Sequence, residues 1–141
     1  MPGSNVEYYG PNNDIAFVAD CDLCPALADC RKQIVNGDGD EQPEIVLVGQ
    51  NPGEEEDAQG RGFVGRAGQL LGLLCDTVGI RKRRTRRLNA VRCHSPRNRK
   101  PDPAEVDACH DFLIQEIKAC NPRVIVGLGE TALDSLYLLP T

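Results

Sequence analysis

The stretch Ile45 to Gly53, IVLVGQNPG, constrains this chain more than any other part of it. Ile45 to Gly49 is an apolar run rich in β-branched side chains, which suits a strand buried on both faces. Pro52 donates nothing to a ladder and Gly53 tolerates positive φ, so the chain turns there. The acidic run Glu54-Glu55-Glu56-Asp57 follows, then the glycine-spaced loop Gly60-Arg61-Gly62-Phe63-Val64-Gly65, then a helical pattern. This order places the amides of Gln50 and Asn51 at the carboxyl edge of a sheet, where open α/β sheets bind ligands. An ordinary strand–loop–helix connection fits the same residues equally well.

Two more short apolar runs, residues 88–91 and 124–128, read as strands. Between the central strand and the first of these runs, Ala67, Leu70, Leu71, Leu74, Cys75 and Val78 recur at helical spacing and predict a core-facing helix closed by Gly79. Asp102, Pro103 and Glu105 form a helix start, and Val106, Cys109, Leu113, Ile117 and Cys120 mark one face of the helix that follows. A shorter helix is expected over 26–35 and a last one over 129–139, while residues 1–13 read as a loose end. The order β-α-β-α-β-α predicts an α/β fold: three layers, α/β/α, with a parallel central sheet and right-handed crossovers. Residues 1–20 read as an N-terminal segment and 21–141 as one domain, a length that supports a real core.

The net charge of −5 advertises no global attraction to nucleic acid, yet residues 81–87 (RKRRTRR) hold six positive charges in seven positions. They suit phosphate contacts and a solvated loop equally. No run approaches the length of a membrane span and no secretory signal opens the chain, so a soluble, cytoplasmic protein is expected. Seven cysteines, an odd number in a reducing compartment, favour metal or cluster ligation over disulfides. Cys21 and Cys24 form a CxxC pair on one turn. On the residues alone a four-cysteine zinc site and an iron–sulfur cluster stand level.

Taken in order, these motifs resemble the family 4 uracil-DNA glycosylases, the iron–sulfur branch of the uracil-DNA glycosylase superfamily. The resemblance covers residues 21–139. It rests on CxxC with Arg31 downstream, a strand ending in GxxPG, the triplet Glu55-Glu56-Asp57, GRxFVGxAGxLL, an Asn-x-Val-x-Cys strand end at Asn89, Asn98-Arg99, and a cysteine on the next helix. It implies a [4Fe–4S] cluster on Cys21, Cys24, Cys93 and Cys109, with zinc as the lesser alternative and Cys30, Cys75 and Cys120 left structural. It also implies that Phe63 stacks on a flipped uracil, that Asn89 reads the uracil edge, and that Glu56 is the motif carboxylate. An asparagine amide can donate to uracil O4 and accept from N3–H, a pattern that cytosine reverses.

The turn Gln50-Asn51-Pro52-Gly53 departs from family 4, which has Glu followed by Ala or Gly at the first two positions. It is similar to the GINPG turn of the mismatch-specific and thymine-DNA glycosylases, whose residue at the Asn51 position holds the attacking water, and its glutamine matches that of the GQDPY turn of family 1. Gly62 stands where proline is usual, and His94-Ser95 where Arg-Pro is usual. The family pattern runs on past the position of Thr141, through a further strand and an HPS-type loop. The function expected is hydrolysis of the N-glycosidic bond of uracil in DNA, the first step of base excision repair, by a monomer acting on uracil-containing DNA. Gln50, Asn51 and Glu56 are the catalytic candidates, and Gln50, Phe63 and Asn89 the substrate-binding ones. A cluster-bearing DNA- or uracil-binding module without turnover is the alternative, and a zinc-stabilised structural domain the third reading.

Overall fold

The computed structural model of the protein describes residues 17–137 and, ahead of them, a two-residue strand. That strand, β1 (Glu7–Tyr8), pairs antiparallel with β2 (Val18–Asp20). The rest of 1–16 and residues 138–141 lie outside the described residues, and with them most of the expected loose end and the tail of the last helix. α1 (Pro25–Cys30) begins with a proline that fits its first turn. It ends five residues short of the expected 26–35 because distant partners take the next backbone donors. Lys32 and Gln33 N–H donate to Asp57 Oδ1 at 2.8 and 3.3 Å, and Val35 N–H to the Arg92 carbonyl at 2.8 Å.

The rest of the chain runs β3 (Asp38–Gly39), β4 (Ile45–Gly49), α2 (Glu54–Gln59), α3 (Arg66–Thr77), β5 (Thr85–Asn89), α4 (Pro103–Cys120), β6 (Val124–Gly127) and α5 (Glu130–Leu136). The sheet order is β3-β5-β4-β6. β4 is parallel to both β5 and β6, with Gly49 opposite Asn89, so the three expected strands form the parallel centre. β3 adds an antiparallel edge that two residues could not announce in the sequence. β5 begins three residues earlier than expected, inside the basic run. Alternation sends Arg86 to Glu116 at 2.9 Å and Arg87 to Asp38 at 3.6 Å, so two of the arginines belong to the sheet.

On one face of the sheet Val46, Val48 and Leu88 pack against Leu113, Ile117 and Cys120 of α4 and Ala132 of α5. α4 carries the expected capping box, with Asp102 accepting from the Glu105 backbone and Glu105 Oε1 accepting from Asp102 N–H at 2.8 Å. On the other face α3 lies across from Leu47, and a cavity of about 360 Å³ separates them, lined by Leu47, Leu71, Cys75 and Ile80 among others. The core stripe expected on α3 is not buried. Leu70, Leu74 and Val78 are 57%, 56% and 70% exposed, and no residue of α3 is buried. Periodicity reports an apolar face, and among the described residues no element covers this one.

A second core joins the start of the domain to the segment after β5 and to α4. It holds Val18, Cys21, Leu27, Val91, Cys93, Cys109 and Phe112, with Cys24 and Val106 packed against it. Beside it the buried carboxylate of Glu116 takes Arg86 Nε at 2.9 Å and Arg92 Nη2 at 2.5 Å. Two guanidinium groups offset its desolvation, which an unpaired carboxylate could not survive here.

Candidate functional site

At the carboxyl edge of β4 and β5 the chain opens a cavity of about 500 Å³. Its walls include Gly49, Gln50, Asn51, Glu56, Phe63 and Asn89, with Leu70, Leu71 and Leu74 of α3 opposite. The expected substrate-binding residues are thus brought together. Asn89 ends β5, and among the described residues its amide hydrogen-bonds to nothing in the protein. Gly49 is the reason it can stand beside the Phe63 ring. A Cβ on Gly49 would lie 2.7 Å from Asn89 Oδ1 and 2.9 Å from Phe63 Cζ.

Phe63 adopts φ 60°, a left-handed backbone that L residues rarely take. Two features hold it. Glu56 sits at the third position of α2, and its carboxylate accepts from Gly53 N–H at 3.1 Å, Val64 N–H at 2.9 Å and Gly65 N–H at 2.5 Å. Gly68 of α3 admits the Phe63 backbone, since a Cβ there would meet the Phe63 carbonyl at 2.2 Å. The hydrogen bonds of Glu56 therefore go to the loop that carries Phe63, a positioning task. A glycine inside a helical pattern marks close backbone approach, so Gly68 had a readable signal that sequence reasoning did not use.

Gln50 and Asn51 are tied to both sides of the pocket. Thr131 Oγ1 donates to Gln50 Oε1 at 3.1 Å, and Gln50 Nε2 donates to Asn51 Oδ1 at 3.3 Å. Asn51 Nδ2 donates to Ser95 Oγ at 2.9 Å and to the Cys93 carbonyl at 3.2 Å. Thr131 and Ser95 carry no sequence signal of this task; only the fold brings them within reach. The histidines turn elsewhere, His94 Nδ1 to the Pro52 carbonyl at 3.0 Å and His110 Nε2 to the Ser135 carbonyl at 3.1 Å.

The four candidate ligand cysteines share one core. Cys21, Cys93 and Cys109 are buried and Cys24 packs against them, while all seven cysteines are free thiols. Arg31 Nη1 donates to Cys93 Sγ at 3.5 Å and Nη2 to the Cys21 carbonyl at 2.6 Å. Burial, with the Glu105 carboxylate and the neighbouring thiols adding to it, pushes Cys24 up to about 11. Burial pushes Cys109 up to about 12 against the Arg92 backbone N–H, and raises Cys93 although Arg31 pulls the other way. Thiolates in this enclosure need a compensating cation beyond Arg31. Among the described residues no three His, Cys, Asp or Glu side chains stand close enough to hold a single metal ion. Four thiols gathered in one core suit a metal centre in number and type.

The basic run straddles the amino end of β5, whose first residue, Thr85, stands about 13 Å along the strand from Asn89. Arg84 pairs with Glu44 at 3.0 Å, and Arg86 and Arg87 pair as described above, so half of the six charges serve the fold. Outside this run, Arg99 forms a two-pronged pair with Glu105 at 2.7 and 2.9 Å, and this hydrogen bonding holds the Glu105 carboxyl below its usual range. No described helix is long and apolar enough to cross a membrane.

The family model described as "Uracil DNA glycosylase superfamily" matches residues 36–140. A Type-4 uracil-DNA glycosylase of Thermotoga maritima is 48% identical over 117 residues, 83% of this chain and 60% of that protein. Proteins of the same name from Pyrobaculum aerophilum and Archaeoglobus fulgidus are 43% and 38% identical, over 87% and 84% of this chain and 62% and 63% of their own lengths. The chain thus matches about three-fifths of the length of these curated relatives.

Proposed function

Because the chain belongs to the uracil-DNA glycosylase superfamily, we propose that it hydrolyses the N-glycosidic bond between uracil and deoxyribose in DNA. The observation that carries this reading is the Asn89 amide, without a hydrogen-bond partner among the described residues, standing beside the Phe63 ring across Gly49. A base turned out of the stack would lie on the ring, and its O4 and N3–H would meet the amide. Uracil satisfies both ends of that amide, and cytosine leaves both opposed. Discrimination therefore costs the wrong base two hydrogen bonds.

The transition state places positive charge on the sugar and negative charge on uracil O2. Backbone N–H groups of the Gln50–Asn51 turn suit the anion, and Asn51 suits a water held below the sugar. An amide is a weak base, so its contribution is orientation. Glu56 acts at one remove by fixing the Phe63 loop. Cys21, Cys24, Cys93 and Cys109 would hold a [4Fe–4S] cluster. When bound it supplies a tie between the CxxC turn, the segment after β5 and α4, with Arg31 donating to one of its ligands.

Excision from a uracil-containing oligonucleotide by the 141-residue chain tests the reading. Release of free uracil is expected, and Asn89→Asp should cut it at least about tenfold and erode the preference over cytosine. Binding of that strand with no release would instead favour a module without turnover. Unchanged rate and selectivity in Asn89→Asp would remove Asn89 from base reading.

A further inference from the structure

A chain of polar side chains runs from α5 to the cysteine centre along the pocket wall, and its hydrogen bonds can point in only one direction. The Cys93 carbonyl accepts and never donates. Asn51 must therefore turn Nδ2 towards it, as it does at 3.2 Å, with Ser95 Oγ also accepting at 2.9 Å. That leaves Asn51 Oδ1 facing Gln50, and an acceptor there requires a donor. Gln50 supplies Nε2 at 3.3 Å, which leaves its Oε1 facing Thr131, whose hydroxyl donates at 3.1 Å. Reversing either amide sets oxygen against oxygen, or nitrogen against nitrogen, at the next contact. One backbone carbonyl thus fixes two amides whose ends are otherwise nearly the same shape.

Resting on the glycosylase reading of this pocket, we infer that Thr131 is a positioning residue for the reaction. It holds Gln50 in the orientation that the Cys93 carbonyl dictates, so that a donor, Gln50 Nε2–H, and an acceptor, Asn51 Oδ1, stand side by side in the cavity wall. Each still has capacity to spare: the second hydrogen on Nε2 and the second lone pair on Oδ1. A water accepting from the first and donating to the second would be held in one orientation. Thr131 is 4% exposed, so solvent does not replace its hydroxyl if it is lost.

Thr131→Val keeps the shape of the side chain and removes the donor. Single-turnover excision should fall about tenfold while the Kd for a uracil-containing strand moves less than about twofold, and Thr131→Ser should restore the rate. Side-chain amide exchange of ¹⁵N-labelled Gln50 gives a second readout that needs no turnover. It should quicken by about tenfold in Thr131→Val and return to the original in Thr131→Ser. Unchanged exchange in Thr131→Val overturns the lock whatever the excision data show. Faster exchange with an unchanged rate, or binding lost in step with rate, overturns the positioning role. A parent chain that releases no uracil overturns the glycosylase reading, and the exchange measurement still decides whether Thr131 holds Gln50.

Discussion

Val46 and Val48 point to one side of β4 and Leu47 to the other, and the two sides meet different neighbours. The first side is closed by α4 and α5, whose Leu113, Ile117 and Ala132 are all buried. The second faces α3 across a cavity of about 360 Å³, and α3 keeps its leucines largely in solvent. Both helices show the same kind of apolar stripe in sequence, so the difference lies in what covers them. It divides the pocket too. Gln50, Asn51 and Asn89 stand on strand ends braced by the packed side and by the cysteine core. Phe63 and the leucine wall stand with α3, held by the Glu56 carboxylate and a glycine contact. The polar reading groups are thus mounted on the stable half and the aromatic platform on the half expected to open first, since few buried contacts mean a low cost of local opening.

Four substitutions break or sharpen that contrast. Cys93→Ala should have the largest effect, bleaching the visible absorbance of the purified protein and lowering its Tm by on the order of 10 °C, because it unties the segment after β5 from α4. Normal colour and iron content in that variant would strike Cys93 from the ligand set. Leu113→Ala, on the packed face, should cost about 2–5 kcal/mol in denaturant unfolding, the toll of a cavity that cannot collapse. Gly68→Ala should cost about 1–3 kcal/mol, because its methyl displaces the Phe63 carbonyl. Its signature is weaker binding of a uracil-containing strand, and unaltered affinity would show that the Phe63 loop shifts freely. Leu73→Ala, at a side chain 65% exposed, should stay within about 0.5 kcal/mol. A cost close to that of Leu113→Ala would mean that α3 is covered in solution, and the contrast would fail.

How far the sequence could be read follows from where each element finds its partners. β4 was legible because its own residues, β-branched and apolar, suit a buried strand, and α4 because its cap and its stripe are local. α1 was overread because its end depends on Asp57 and on the Arg92 carbonyl, far away in sequence. The start of β5 was hidden because arginines on a strand look like a solvated run until Glu116 and Asp38 are placed opposite them. The pocket residues Phe63 and Asn89 came through the motifs. Thr131 and Ser95 did not, because a threonine on a helix or a serine in a loop says nothing about the amide or carbonyl that the fold sets beside it.

The cysteine core also has a consequence for the making of the chain. Its first thiols are at Cys21 and Cys24 and its last at Cys109, so 88 residues (109 − 21) separate the first from the last. At synthesis rates of about 5–20 residues per second, the CxxC turn emerges roughly 4–18 s before its partner on α4 exists. Any chemistry that needs all four sulfurs is closed to the nascent chain through that interval, and the early pair waits as ordinary thiols until the helix that completes the set has been translated.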